Sequence, residues 1–154
     1  MKEAMDGSSD INVQIMLVKK QPLFSQLTDS EAEELASLMS ERKVVTGETI
    51  VKEGEPVDSF YLIASGTADV KVATYVDNKR ETKSVTTMGM GEAIGLNETG
   101  FYSLSGKRTA TVVALTDMVL YRLNLAAFHG FALAHSHVSE IMHKHVENSM
   151  KEKQ

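Results

Sequence analysis

The sequence predicts a mainly β fold: an antiparallel β-roll of the double-stranded, jelly-roll-like kind, with helices at both ends. Three observations predict it. From about Lys43 to Leu123 the chain is a run of roughly eight short β-rich pieces punctuated by glycine, a helix-capping signal at Thr28 precedes them, and a helical tail follows Asn124. Short strands joined by tight turns close into antiparallel rolls, and no solenoid repeat competes with that reading.

The elements follow in chain order. Met1 to Asp10 is small and polar, contains Gly-Ser-Ser, and reads as a disordered lead. Ile11 to Lys20 has the pattern of a short amphipathic helix that stops before Pro22, because the residue preceding proline avoids helical dihedrals. Thr28-Asp-Ser-Glu31 is a capping box, in which hydroxyl and carboxylate each satisfy an orphan backbone donor. Ala32, Leu35, Ala36 and Met39 continue at helical spacing, so the helix is expected to run to about Ser40.

Strand candidates then come in quick succession: Val44-Val45, Thr49 to Val51, Phe60 to Ala64 and Thr67 to Tyr75. In the last, Ala68, Val70 and Val72 alternate with Asp69 and Lys71, as a half-buried strand requires. Asp77-Asn78 breaks the pattern as a hairpin loop, and Thr82 to Thr87 returns. Arg108 to Leu115 and Met118 to Leu123 complete the roll, and Asn124 caps a helical segment expected to continue to about residue 150. One domain over 11–154 is expected, with the roll at about 43–123.

Composition narrows the function. The 154 residues carry 42% hydrophobic and 24% charged side chains, ordinary for one domain with a single core. No apolar run is long enough to span a membrane and no signal-peptide core is present, so a cytoplasmic protein is expected. With no cysteine, disulfides, thiolate catalysis and iron–sulfur ligation are excluded. Sixteen basic against twenty-one acidic side chains give a net charge of −5, which argues against a broad grip on nucleic acid or anionic lipid. An anion must be held by a local site.

Two segments carry that possibility: Gly89-Met-Gly-Glu-Ala-Ile-Gly95-Leu96 and Gly106-Lys-Arg108-Thr109-Ala110-Thr111-Val112. Together they resemble the phosphate-binding cassette of the cyclic nucleotide-binding domain family. The resemblance extends to Val45-Thr-Gly47-Glu48, Glu53-Gly54-Glu55, Tyr61-Leu-Ile63 and Ser65-Gly66, and covers roughly Leu23 to Val146. It implies a roll whose cassette loop and short helix cradle the cyclic phosphate of cAMP or cGMP. Arg108 takes the phosphate arginine position, backbone groups of Thr109 and Ala110 take neighbouring donor positions, and Gly95 lets the backbone approach the ligand. Glycine loops, helix N-termini and a paired arginine are sound physics for a phosphate monoanion. Thr109 is also where some members bond a guanine amino group.

The cassette departs from the family at Leu96, where a glutamate commonly accepts a hydrogen bond from the ribose 2′-hydroxyl. Leucine cannot accept. The Leu96 to Lys107 stretch is also somewhat longer than usual, so Asn97 or Glu98 stands next in line for the ribose, against the plainer reading that both begin a helix.

All five histidines, His129, His135, His137, His143 and His145, lie in the tail, where solvated side chains are expected rather than metal ligands. No nucleophile elbow, Walker loop or paired carboxylates mark an enzyme. The expectation is a non-catalytic regulatory module with no cofactor. It binds a cyclic nucleotide and relays occupancy through its C-terminal helix, where Val138, Ile141 and Met142 form a partly apolar stripe. That stripe is expected to close over the base or to pair with a second copy, unless the chain is attached to a larger effector. The competing reading is a degenerate roll that binds no nucleotide and serves dimerisation or docking. Specific DNA binding is not expected.

Overall fold

The computed structural model describes residues 7–97, 100–101 and 106–141. Helix α1 (Gly7–Lys20) starts four residues earlier than expected, so Gly7 to Asp10 belongs to a helix rather than to a disordered lead. It ends before Pro22, which opens a single 3-10 turn, Pro22–Phe24. Helix α2 (Asp29–Ser37) has the full capping box. Glu31 N–H donates to Thr28 Oγ1 at 3.1 Å and Thr28 N–H donates to Glu31 Oε1 at 2.8 Å.

α2 stops short of Ser40 because the chain there becomes β1 (Ser40–Val44). β1 pairs with β10 (Met118–Asn124), β10 with β3 (Ser59–Ser65), and β3 with β6 (Ala93–Ile94). The facing sheet has the order β2 (Thr49–Val51), β9 (Thr111–Ala114), β4 (Ala68–Val76), β5 (Lys79–Met88). All its pairings are antiparallel. Asp77 and Asn78, at φ 53° and 65°, form the β4–β5 turn, matching the right-handed twist of the strands they join.

β3 and β10 explain how one roll supports two cores. Along β3, Phe60 and Leu62 face the helices while Tyr61 and Ile63 face the roll interior, because successive side chains leave opposite faces. Burial on both sides makes β3 a nearly continuous apolar strand.

Asn124 caps α3 (Leu125–Ala134) by accepting from Ala127 N–H at 2.7 Å. The tail is not one continuous helix. Backbone at His135 is extended, with φ −131° and ψ 100°, and helix resumes over 136–141. Val138 is 0% and Ile141 4% exposed, and both belong to the buried cluster that also holds Leu17, Val18 and Leu35 of the first two helices. The two stripe residues described therefore belong to the chain's own core. Neither covers a ligand site nor presents a free dimerisation surface in this conformation. Met142, His143 and His145 lie outside the described residues.

Candidate functional site

Arg108 is not on a strand, since β9 begins only at Thr111. It is fixed by its backbone instead. Arg108 N–H donates to Glu55 O at 2.7 Å, Gly54 N–H to Arg108 O at 2.9 Å, and Val57 N–H to Gly106 O at 2.8 Å. The 106–108 segment is thus clamped to the turn between β2 and β3, and its side chain is directed into the body of the roll.

That side chain is 6% exposed. Its Nη2 donates to the Ser59 carbonyl at 2.9 Å and lies 3.8 Å from Asp58 Oδ1. Asp58 also faces Arg122 Nη2 at 3.7 Å, so one exposed carboxylate serves two guanidinium groups. Among the described residues, Arg108 Nη1 is the buried side-chain polar atom with no hydrogen-bond partner. Burial pulls the guanidinium below its ordinary pKa, opposed by Tyr61, Asp58 and Glu55 and reinforced by Arg122. An arginine nevertheless stays cationic at neutral pH. A buried cation with an unused donor is costly, and an anion at Nη1 relieves the cost.

Gly95 sits against that atom. A Cβ built there would stand 2.6 Å from Arg108 Nη1 and 3.3 Å from the Ser59 carbonyl, and φ at Gly95 is +87°. Only glycine meets both conditions without strain.

The two residues meet in a shallow cleft of about 90 Å³ that opens to solvent. Its walls are Val51, Val57, Val70, Met88, Ile94 and Val112, and its polar margin is Lys107, Arg108 and Thr109, with Ala110 beside them. Apolar walls around a cationic end suit a ligand with a flat apolar body and one anionic group. The expected site residues Gly95, Arg108, Thr109 and Ala110 are therefore brought together.

The intervening segment differs from expectation. Leu96 and Asn97 form β7 and pair with Gly100 and Phe101 of β8 as a small antiparallel hairpin. Asn97 therefore does not begin a helix, and its strand is in keeping with the poor helix propensity of Thr99 and Gly100 and the strand preference of Phe101. Glu98 lies outside the described residues. Sequence reasoning did not identify Asp58, Ser59 and Lys107. Ser59 acts through a backbone carbonyl, which leaves no mark in residue type, and Lys107 was legible only as the neighbour of Arg108.

The histidines are not simply solvated. His135 Nε2 lies 3.0 Å from Glu34 Oε2, and His137 Nε2 lies 3.1 Å from the Gln26 carbonyl. Among the described residues no cluster of three or more His, Asp or Glu side chains has metal-site geometry.

The model of the cyclic nucleotide-binding domain family matches residues 41–135, which include both sheets, the cleft and Arg108. The chain belongs to this family. This cyclic nucleotide-binding domain is 34% identical over 113 residues to the cAMP-dependent protein kinase regulatory subunit of Colletotrichum orbiculare, a match covering 72% of this chain and 26% of that protein. The domain thus spans about a quarter of the length of that relative. The N-terminal domain of a transcriptional regulator from Streptomyces coelicolor superposes with a TM-score of 0.75 at 25% identity, covering 90% of this chain and 94% of that one. The regulatory domain of Toxoplasma gondii PKA, co-crystallised with cAMP, gives 0.69 at 19% identity over 82% of this chain and 46% of its own. That second likeness concerns the roll itself. No helix among the described residues is long and apolar enough to cross a membrane.

Proposed function

We propose that this domain is a non-catalytic regulatory module of the cytoplasm that takes cAMP or cGMP into the cleft, with the cyclic phosphate on Arg108 Nη1 and the base along the apolar walls. The observation that carries the reading is the orphaned Nη1 of a buried arginine, at the end of an apolar-walled cleft and against a glycine that cannot be enlarged. Backbone groups of Thr109 and Ala110 supply further donors at the rim. The kinship with a cAMP-dependent protein kinase regulatory subunit supports the same ligand class.

Leu96 sets the strength of binding. A carboxylate accepting from the ribose hydroxyl contributes roughly 1.5 to 3 kcal/mol, about one to two decades in affinity, so this domain binds in the micromolar range or more weakly. Occupancy acts on the rest of the protein through the segment after α3, provided its positions differ in ligand affinity. The output, whether through a second copy or a larger effector, follows from that movement.

The same leucine favours the second reading, a roll that docks partners without nucleotide. Calorimetric titration with cAMP and with cGMP separates the two. Saturable binding at one site per chain supports the sensor, whereas no heat at millimolar nucleotide, with the fold intact, supports the docking module.

A further inference from the structure

We propose that β5 is an association edge, through which two copies of this domain pair antiparallel about Thr82. The inference is independent of nucleotide binding, because it rests on residues 80–84, none of which lines the cleft.

Three of the four edges of the two facing sheets are short: β1 has five residues, β2 three and β6 two. β5 is the exception, with ten residues, exposed from Lys79 to Thr87. Among the described residues no strand pairs with its outer side. Alternate residues of an antiparallel strand turn their backbone N–H and C=O away from the neighbour, so half of the backbone groups of β5 face solvent rather than β4. Proline, which blunts many edges, is absent from the strand. A bulge limits one end. β4 pairs Val70 with Thr86 but Lys71 with Ser84, which leaves Val85 as the extra residue on β5. The regular stretch open to a further strand is therefore Lys79 to Ser84.

The side chains of that stretch decide the occupant. Glu81 stands opposite Thr74 and Lys83 opposite Val72, so both leave the same face of the sheet. Neither has an ion-pair partner among the described residues. When a strand pairs antiparallel with its own copy across a twofold axis, one residue must face itself, because opposed residues share their hydrogen-bonding direction. Centring the pair on Arg80 or on Lys83 sets that cation against itself. Centring on Glu81 sets it against itself and Lys79 against Lys83, and centring on Ser84 runs the pairing through the bulge at Val85.

Centring on Thr82 avoids all of these conflicts. Glu81 of each copy then faces Lys83 of the other, Arg80 faces Ser84, and the two Thr82 side chains meet. Opposite charges and paired threonines stabilise directly opposed positions, whereas like charges there destabilise. The edge is thus complementary to itself in one register, which assigns it a second copy of this chain rather than a foreign strand. The two four-stranded sheets join through β5 into one continuous sheet. So short a pairing makes a weak contact, which forms at high concentration or where a larger assembly holds two copies together.

Sedimentation velocity of the full chain, from about 10 µM to about 1 mM, tests this. The wild type should show a concentration-dependent monomer–dimer equilibrium. E81K and K83E each place like charges opposite one another at both pairs, and each should weaken self-association about tenfold or more. Mixing the two single variants restores both attractive pairs. So does the double variant E81K/K83E, whose net charge equals that of the wild type. Both the mixture and the double variant should associate as the wild type does. Circular dichroism checks that the variants are folded, and if one single variant is not, the other and the double variant decide. A wild type that stays monomeric throughout overturns the proposal and leaves the edge to a foreign strand. Self-association that E81K and K83E leave unchanged, or that the double variant fails to recover, overturns it as well.

Discussion

Gly95 and Arg108 meet at a separation that admits no side chain on the glycine: a Cβ there would lie 2.6 Å from Arg108 Nη1. The contact joins the end of the β6 strand to the clamped 106–108 segment, at the cationic end of the cleft. The identity of residue 95 therefore controls where the guanidinium points.

Gly95→Ala is expected to cost about 1 to 2 kcal/mol of stability, from the left-handed backbone alone. It should also displace Arg108 and weaken ligand binding. Urea denaturation reads the first effect and titration the second. Unchanged stability together with unchanged affinity would show that this close approach has no consequence.

Leu96→Glu is expected to strengthen cyclic nucleotide binding by about one to two decades, since a carboxylate can accept from the ribose hydroxyl. Titrating cAMP and cGMP into variant and wild type checks this. A wild type already nanomolar, or a variant with no gain, contradicts it.

Thr28→Ala should destabilise the domain by about 1 kcal/mol, because it removes the Thr28 hydroxyl that accepts from Glu31 N–H. Thermal or urea unfolding reads it, and nucleotide affinity should stay the same.

Lys19 holds the Asp29 carboxyl below its ordinary pKa through a hydrogen bond and its charge. A depressed folded-state pKa means that this contribution is present above the unfolded value, about 3.9, and is lost as pH falls through the folded value. Lys19→Ala should flatten that part of the acid limb of the stability curve. The effect is small for so exposed a pair, and high salt should erase it in the wild type.

The features legible in the sequence are those specified locally. Thr28 and Glu31 stand three residues apart, Asn124 adjoins its helix, and Asp77-Asn78 tolerates left-handed backbone, so each announces its element without reference to the rest of the chain. Only the Lys43-Val44 end of β1 was legible, because Ser40, Glu41 and Arg42 are polar residues at a sheet edge whose strand conformation comes from pairing with β10. The break at His135 carries neither glycine nor proline, and a long-range contact to Glu34 accompanies it. The candidate site divides the same way. Arg108 and Gly95 were visible as a motif, whereas the Ser59 carbonyl that orients the guanidinium and the carboxylate that Asp58 shares with Arg122 exist only once β3 and β10 are paired. Val138 and Ile141 read as a free stripe because a helix face shows its apolar residues but not what covers them.

The central claim is that a buried arginine awaits an anionic phosphate. Calorimetric titration of cAMP and cGMP into the wild type and Arg108→Ala, with circular dichroism confirming that both are folded, tests it most directly. The wild type should bind one nucleotide per chain, and Arg108→Ala should lose about 2 to 5 kcal/mol of binding free energy, taking binding below detection. Equal affinity of the folded variant and the wild type would contradict the assignment of Arg108 to the phosphate.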